Sequence, residues 1–175
     1  MTPTAHHVLR ANTAANTAAN IIADRVVLTY DDRFLRRKRL ETASGAGFMV
    51  DLAETISLAQ GDAFQLDDGR LIVVEAAPEP LLVVRGDLPR LAWHIGNRHT
   101  PCQIGPDRLL IRQDHVLEAM LLHLGAQLSR SMEPFTPEGG AYGHGRTMGH
   151  DHGPQTGPEP VGFQLPAALR LGVRS

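Results

Sequence analysis

The chain has 175 residues, enough for one ordinary domain or two small ones, and 42% of them are apolar, as in a globular protein. Its formal charge of −2 offers no basic surface for nucleic acid or an anionic membrane, and no run of about 18 apolar residues predicts a membrane-spanning helix. The single cysteine, Cys102, cannot form an internal disulfide, and the start lacks the charged and apolar stretches of a signal peptide; both fit a reducing cytoplasm.

Residues 1–20 contain Ala11-Asn12-Thr13-Ala14 and then the same four residues at 15–18. This low-complexity repeat holds no large apolar side chain and is expected to be a disordered extension. Residues 21–78 carry only β signals. Ile21–Tyr30 is rich in β-branched residues, and Arg36–Thr42 and Phe48–Leu52 read as short strands. Asp67-Asp68-Gly69 is a turn between Ala63–Leu66 and Leu71–Glu75, which makes a hairpin. Within this region Arg36-Arg37-Lys38-Arg39 reads as a solvated strand or loop, with alternation placing Leu35 and Leu40 on different faces. The Pro-containing stretch Glu75–Pro80 breaks the pattern.

From residue 79 to 134 the pattern mixes strands and helices. Leu81–Arg85 is a strand. Asp87 is a good N-cap, and Leu88, Leu91, Ala92 and Ile95 recur at helical spacing up to Gly96. Pro101–Ile104 and Arg108–Arg112 are short strands joined by Gly105-Pro106-Asp107. A second helix runs from about Gln113 to Leu124, with Val116, Leu117, Met120, Leu121 and Leu124 as its apolar stripe and Gly125 as its stop. Gln127–Met132 is the last strand. The order βαββαβ is the ferredoxin-like split arrangement. The expected class is therefore α+β: a small all-β domain, a ferredoxin-like domain, and a tail.

Residues 135–175 form that tail, rich in Gly and Pro without apolar periodicity and expected to be disordered. Phe163–Leu171 is a short helix candidate after Pro166. His144, His150 and His152 lie in the tail, and the last two flank Asp151. Imidazole is the commonest protein ligand for nickel, zinc and copper. Composition alone leaves two readings open, metal capture and a solvated linker.

The residues Trp93-His94-Ile95-Gly96-Asn97-Arg98-His99-Thr100-Pro101-Cys102-Gln103-Ile104 resemble the signature of the UreE family, the urease accessory nickel metallochaperones. Asp114-His115-Val116-Leu117 and Pro134–Tyr142, ahead of a His-bearing tail, match in the same order, and the resemblance covers roughly residues 21–152. It implies a cytoplasmic homodimer joined through its ferredoxin-like domains. It implies that His99 binds Ni(II) at the interface with its symmetry mate, and that His144, His150 and His152 complete or extend the coordination. Zn(II) and Cu(II) are further candidate ions. The β domain resembles a peptide-binding chaperone domain. The implied partners are a GTPase urease accessory protein and the urease apoprotein complex, with no nucleic acid and no membrane.

One position departs from the family pattern. Some members carry a histidine two positions before the one matching His115, where this chain has Gln113, and a neutral amide is a poor nickel ligand beside imidazole. A second metal site with His115 and Asp114 is thereby put in doubt, and both residues have an alternative role as a helix cap. His94 and His123 read as helix packing or surface residues, His6 and His7 as parts of the N-terminal extension, and Cys102 as a small buried hydrophobe. The chain has no His-Glu-x-x-His, Gly-x-Ser-x-Gly or Walker loop, so a non-enzymatic role is expected. The main rival is a β-domain chaperone or scaffold whose histidines buffer metal incidentally; a hydrolase using His115 and Asp114 ranks third.

Overall fold

A computed structural model describes residues 2–15 and 22–139. The first half contains strand Thr4–Leu9 (β1), a single helical turn Ala11–Ala14 (α1), and strands Ile22–Leu28 (β2), Phe34–Glu41 (β3), Gly47–Ser57 (β4), Ala63–Leu66 (β5) and Leu71–Ala76 (β6). The strands form one six-stranded sheet in the order β2-β6-β5-β1-β4-β3. The hairpin between β5 and β6 turns where expected: Gly69 takes φ +85°, and its N–H donates to the Leu66 carbonyl at 2.9 Å.

The expectation of a disordered start is overturned for residues 4–14. β1 sits in the middle of the sheet, parallel to β4 (Ala5 opposite Val50) and antiparallel to β5 (Val8 opposite Phe64). Ala5 is fully buried, and Val8 packs against the same core. Only Ala5 of the strand is buried, so two backbone ladders rather than large apolar side chains hold it in place. α1 is held by Asp62, which is 1% exposed: its carboxylate accepts from Arg10 Nη1 (2.8 Å), Ala11 N (2.9 Å) and Ala59 N (3.0 Å). A buried charge is tolerated where it is paired and hydrogen-bonded in this way.

Leu35 and Leu40 are a second correction. They are 6% and 7% exposed and belong to one core cluster, not to opposite faces. The β3–β4 register is irregular between Leu35 and Arg37, where the opposite residue jumps from Ile56 to Asp51. Such a bulge resets the side-chain alternation. The basic run between them is exposed, and Arg37 and Lys38 pair with Asp51 (2.8 Å) and Asp32 (2.7 Å).

The second half contains strand Pro78–Arg85 (β7), helix Leu88–Gly96 (α2), strands Gln103–Ile104 (β8) and Leu109–Arg112 (β9), helix His115–His123 (α3) and strand Gln127–Pro134 (β10). Their antiparallel order, β10-β7-β9-β8, is the ferredoxin-like arrangement. β7 starts three residues before the expected Leu81. Pro78 and Pro80 are accommodated because β9 flanks only Leu81–Val84, leaving the start of β7 an edge on that side. Leu91 and Ile95 of α2 and Leu117 and Leu121 of α3 bury against Leu82, Val84, Leu109 and Ile111 on one sheet face. The other face buries Leu81, Val83 and Leu110 beneath Phe135, with Tyr30 of the first half packed against them. The Phe135 and Tyr30 rings meet edge to face at 5.4 Å, Arg33 donates to the Phe135 carbonyl, and Arg112 pairs with Asp31 at 2.7 Å. The two halves thus share a packed seam. The helix candidate at 163–171 lies outside the described residues.

Candidate metal site

The site grows out of the end of α2. Asp87 caps the helix, accepting from Arg90 N at 3.5 Å, and a proline stands in the first turn. With Leu91 and Ile95 turned to the sheet, Trp93 is left on the outer surface at 63% exposure, its ring against His94 at 5.0 Å. After Gly96 the chain makes a tight turn: Arg98 N donates to the Ile95 carbonyl (3.1 Å) and His99 N to the Gly96 carbonyl (2.9 Å). This turn drives His99 to φ +52°, the one left-handed non-glycine among the described residues. Histidine enters that region more readily than most side chains, at a cost of order 1 kcal/mol. The result is an exposed imidazole on a backbone that its own hydrogen bonds hold still.

Across an open groove from His99 lies the start of α3. Thr100, Gln113 and Asp114 line the groove with it. Asp114 is the α3 cap: Oδ1 accepts from Val116 N (2.8 Å) and Leu117 N (3.0 Å). The Leu117 bond leads in holding the Asp114 carboxyl below its usual range, with further help from the Val116 bond and the charge of His115. The helix therefore begins at His115, two residues later than periodicity alone predicts, with Gln113 and Asp114 outside it. His115 is exposed but does not line the groove.

Cys102 is half-buried against the helix-side core, one residue before β8. Burial, with the nearby Glu138 charge adding to it, pushes its thiol up to about 11. His94 is half-buried beside Trp93, and His123 is exposed in the last turn of α3. His6 lies on β1, with Nδ1 3.0 Å from the Asp51 carbonyl. Among the described residues no three histidine, cysteine or carboxylate side chains converge on one point. His144, His150 and His152 lie outside the described residues.

The segment leading into the tail is well placed. From Phe135 the chain crosses the sheet, where Thr136 N donates to Gln103 Oε1 (2.8 Å) and Glu138 N to the Cys102 carbonyl (2.9 Å). Glu138 is thereby fixed to Cys102, which lies three residues along the chain from His99. This anchoring carries no local sequence signal, since it depends on how distant segments pack, whereas the exposure of Trp93 follows from its place off the apolar stripe of α2.

The described residues form a β-sheet domain joined to a ferredoxin-like domain, with an exposed imidazole on a left-handed turn facing the start of α3. Family models agree with that layout. The N-terminal domain of UreE urease accessory protein matches residues 5–77, and its C-terminal domain matches residues 79–158. The chain belongs to the UreE urease accessory protein family. It is 70% identical over 132 residues to the urease accessory protein UreE of Rhodobacter capsulatus, covering 75% of this chain and 85% of that protein. The protein of that name from Cereibacter sphaeroides is 60% identical over 155 residues, covering 89% and 83%. That of Paracoccus denitrificans is 72% identical over 122 residues, covering 70% and 79%. The matched region begins at residue 5 rather than near residue 21, in keeping with the place of β1 in the sheet. It extends through His144, His150 and His152.

Proposed function

We propose that this member of the urease accessory family carries Ni(II) as cargo and releases it for assembly of the urease active site. The observation that carries the reading is His99: an exposed imidazole on a fixed left-handed turn, with the root of a histidine-bearing tail pinned to Cys102, three residues along the chain. One imidazole per chain cannot fill the square-planar or octahedral shell that Ni(II) prefers. A second copy supplies a second His99, and His144, His150 and His152 supply the rest. A shell completed by tail residues comes apart when they withdraw, which suits delivery better than storage. Binding falls on acidification, because protons compete for imidazole nitrogen. Zn(II) and Cu(II) are competing ions for the same donors.

The exposed Trp93, with Val116 (52% exposed) and Met132 (65% exposed) on the same domain, supports a homodimer whose contact brings two copies of His99 to one ion. The proposed site is built without Asp114 and His115, because Asp114 Oδ1 serves the helix cap and Gln113 stands where a second site needs an imidazole. The role is non-catalytic, cytoplasmic and exercised with the GTPase accessory protein and urease apoprotein. No helix among the described residues is long and apolar enough to cross a membrane.

The test is calorimetric nickel titration of the chain and its His99→Ala variant. The variant is expected to lose the tightest site while its melting temperature falls by a few degrees at most, because the side chain is exposed and only the left-handed turn is strained. An unchanged first nickel affinity overturns the assignment and favours the rival reading, a β-domain scaffold that buffers metal incidentally.

A further inference from the structure

Strand β1 carries His6 and His7, adjacent in sequence and both exposed. In a regular strand neighbours point to opposite faces, so one of the two imidazoles would enter the core. A bulge prevents this. Against β5, Ala5 stands opposite Leu66, His7 opposite Gln65, Val8 opposite Phe64 and Leu9 opposite Ala63, which leaves His6 as the extra residue. Ala5, Val8, Leu66 and Phe64 belong to the main core, whereas Leu9 and Ala63 belong to the small cluster with Ala14 and Leu71. Along β1 the side chains therefore run inward at Ala5, outward at both His6 and His7, inward at Val8 and outward at Leu9.

His6 is also oriented for a second bond. Its Nδ1 lies 3.0 Å from the Asp51 carbonyl. A carbonyl only accepts, so this nitrogen carries the proton and Nε2 keeps the lone pair. A ring N–H on a backbone carbonyl with the other nitrogen open is the arrangement that metal-binding imidazoles adopt. The parallel pairing of Ala5 with Val50 sets Asp51 beside His6 on β4. The Asp51 carboxyl is held below its usual range, first by its hydrogen bond from Arg37, with the charge of His6 among the smaller causes. Arg37 in turn is engaged by both Asp51 oxygens, at 2.8 and 3.0 Å, which offsets the one cation directly across from this face.

We propose that His6 and His7 form a solvent-facing two-imidazole site for a divalent first-row transition ion, in the other half of the molecule from His99 and independent of it. Two nitrogen donors come from adjacent residues on one face, and water fills the rest of the shell. The site needs no third side chain, in keeping with the lack of any three converging donors among the described residues. An open shell of this kind exchanges its ion readily. Nitrogen donors bind Cu(II) more tightly than Ni(II) or Zn(II), so Cu(II) is the probe that fills the site first.

The test is a Cu(II) titration of the full chain followed by amide NMR, because a paramagnetic ion broadens the signals nearest to it. Reading individual amides separates this site from every other histidine of the chain. Residues 5–8, with Asp51 and Gln65, are expected to broaden. His6→Ala and His7→Ala are each expected to abolish that broadening and leave the rest of the spectrum in place, since both side chains are exposed. His99→Ala is expected to leave it intact. Sharp signals from residues 5–8 in excess Cu(II) overturn the proposal, as does broadening that survives either histidine substitution on β1. Loss of the broadening in His99→Ala overturns the claim of independence. The nickel reading of His99 stands or falls by its own titration, so the two fail separately.

Discussion

The two halves of the molecule manage their surfaces differently. Among the described residues, the six-stranded sheet leaves two large apolar side chains in the open, Ile22 and Val27, both on edge strand β2. Its charges are largely paired within the domain: Arg37 with Asp51, Lys38 with Asp32, Arg70 with Asp68. The described part of the ferredoxin-like half leaves five exposed, Trp93, Ile104, Val116, Leu122 and Met132, three of them on its helices. It also holds an imidazole in a left-handed turn, where local backbone energy is spent and no cluster of donors is assembled among the described residues. The first half has its own core and gives Tyr30 and Arg33 to the seam, and the proposed nickel site and dimer contact both lie on the second.

The largest expected effect comes from the first half. Deleting residues 1–10 removes the central strand, leaving β4 and β5 each with an unpaired inner edge. Circular dichroism and thermal denaturation are expected to show loss of the N-terminal sheet as a cooperative unit. A variant that melts like the full chain would mean that β1 is dispensable and the sheet is not closed through it.

A smaller effect tests the open surface of the second half. Trp93→Asp puts a charge where a large aromatic ring stands in solvent. The fold is expected to survive, while the dissociation constant of the proposed metal-free dimer rises roughly thirtyfold, the scale for losing an interface anchor. Sedimentation at several protein concentrations reads this. An unaltered self-association would leave the exposed apolar residues without the role given to them here.

The smallest effect concerns the cap beside the groove. Asp114→Ala removes the acceptor for two amides at the start of α3 and is expected to lower the melting temperature by a few degrees at neutral pH. The folded carboxyl titrates below its ordinary value of about 3.9. Its contribution is therefore present above that value and lost as pH falls through the folded one, so the two proteins should converge in strong acid. Nickel affinity should not change. A large loss of affinity would return Asp114 to the list of ligands.

Several features were legible in the chain because they are decided within a few residues. The Asp87 and Asp114 caps, the Asp67–Gly69 turn and the apolar faces of α2 and α3 each follow from neighbours at most four positions apart, and together they specify a split βαβ unit. The His99 segment was legible as a resemblance, though not its left-handed turn, which the three closing hydrogen bonds after Trp93 produce. β1 was not legible. Its partners are 45 residues or more away, and a strand paired on both sides carries no alternation strong enough to outweigh the low-complexity repeat behind it.

By itself, then, the sequence determined the local elements of the second half, the poor ligand set at Gln113, and the family. Tertiary structure alone decided three further things. It placed residues 4–9 at the centre of the first sheet, brought Leu35 and Leu40 to one face through a bulge, and carried the tail root from one sheet edge to the other. The physical reason is common to all three. Each depends on hydrogen bonds and burial between segments far apart in the chain, and such contacts are supplied by the partner segment, so they leave no periodic mark on the residues that receive them.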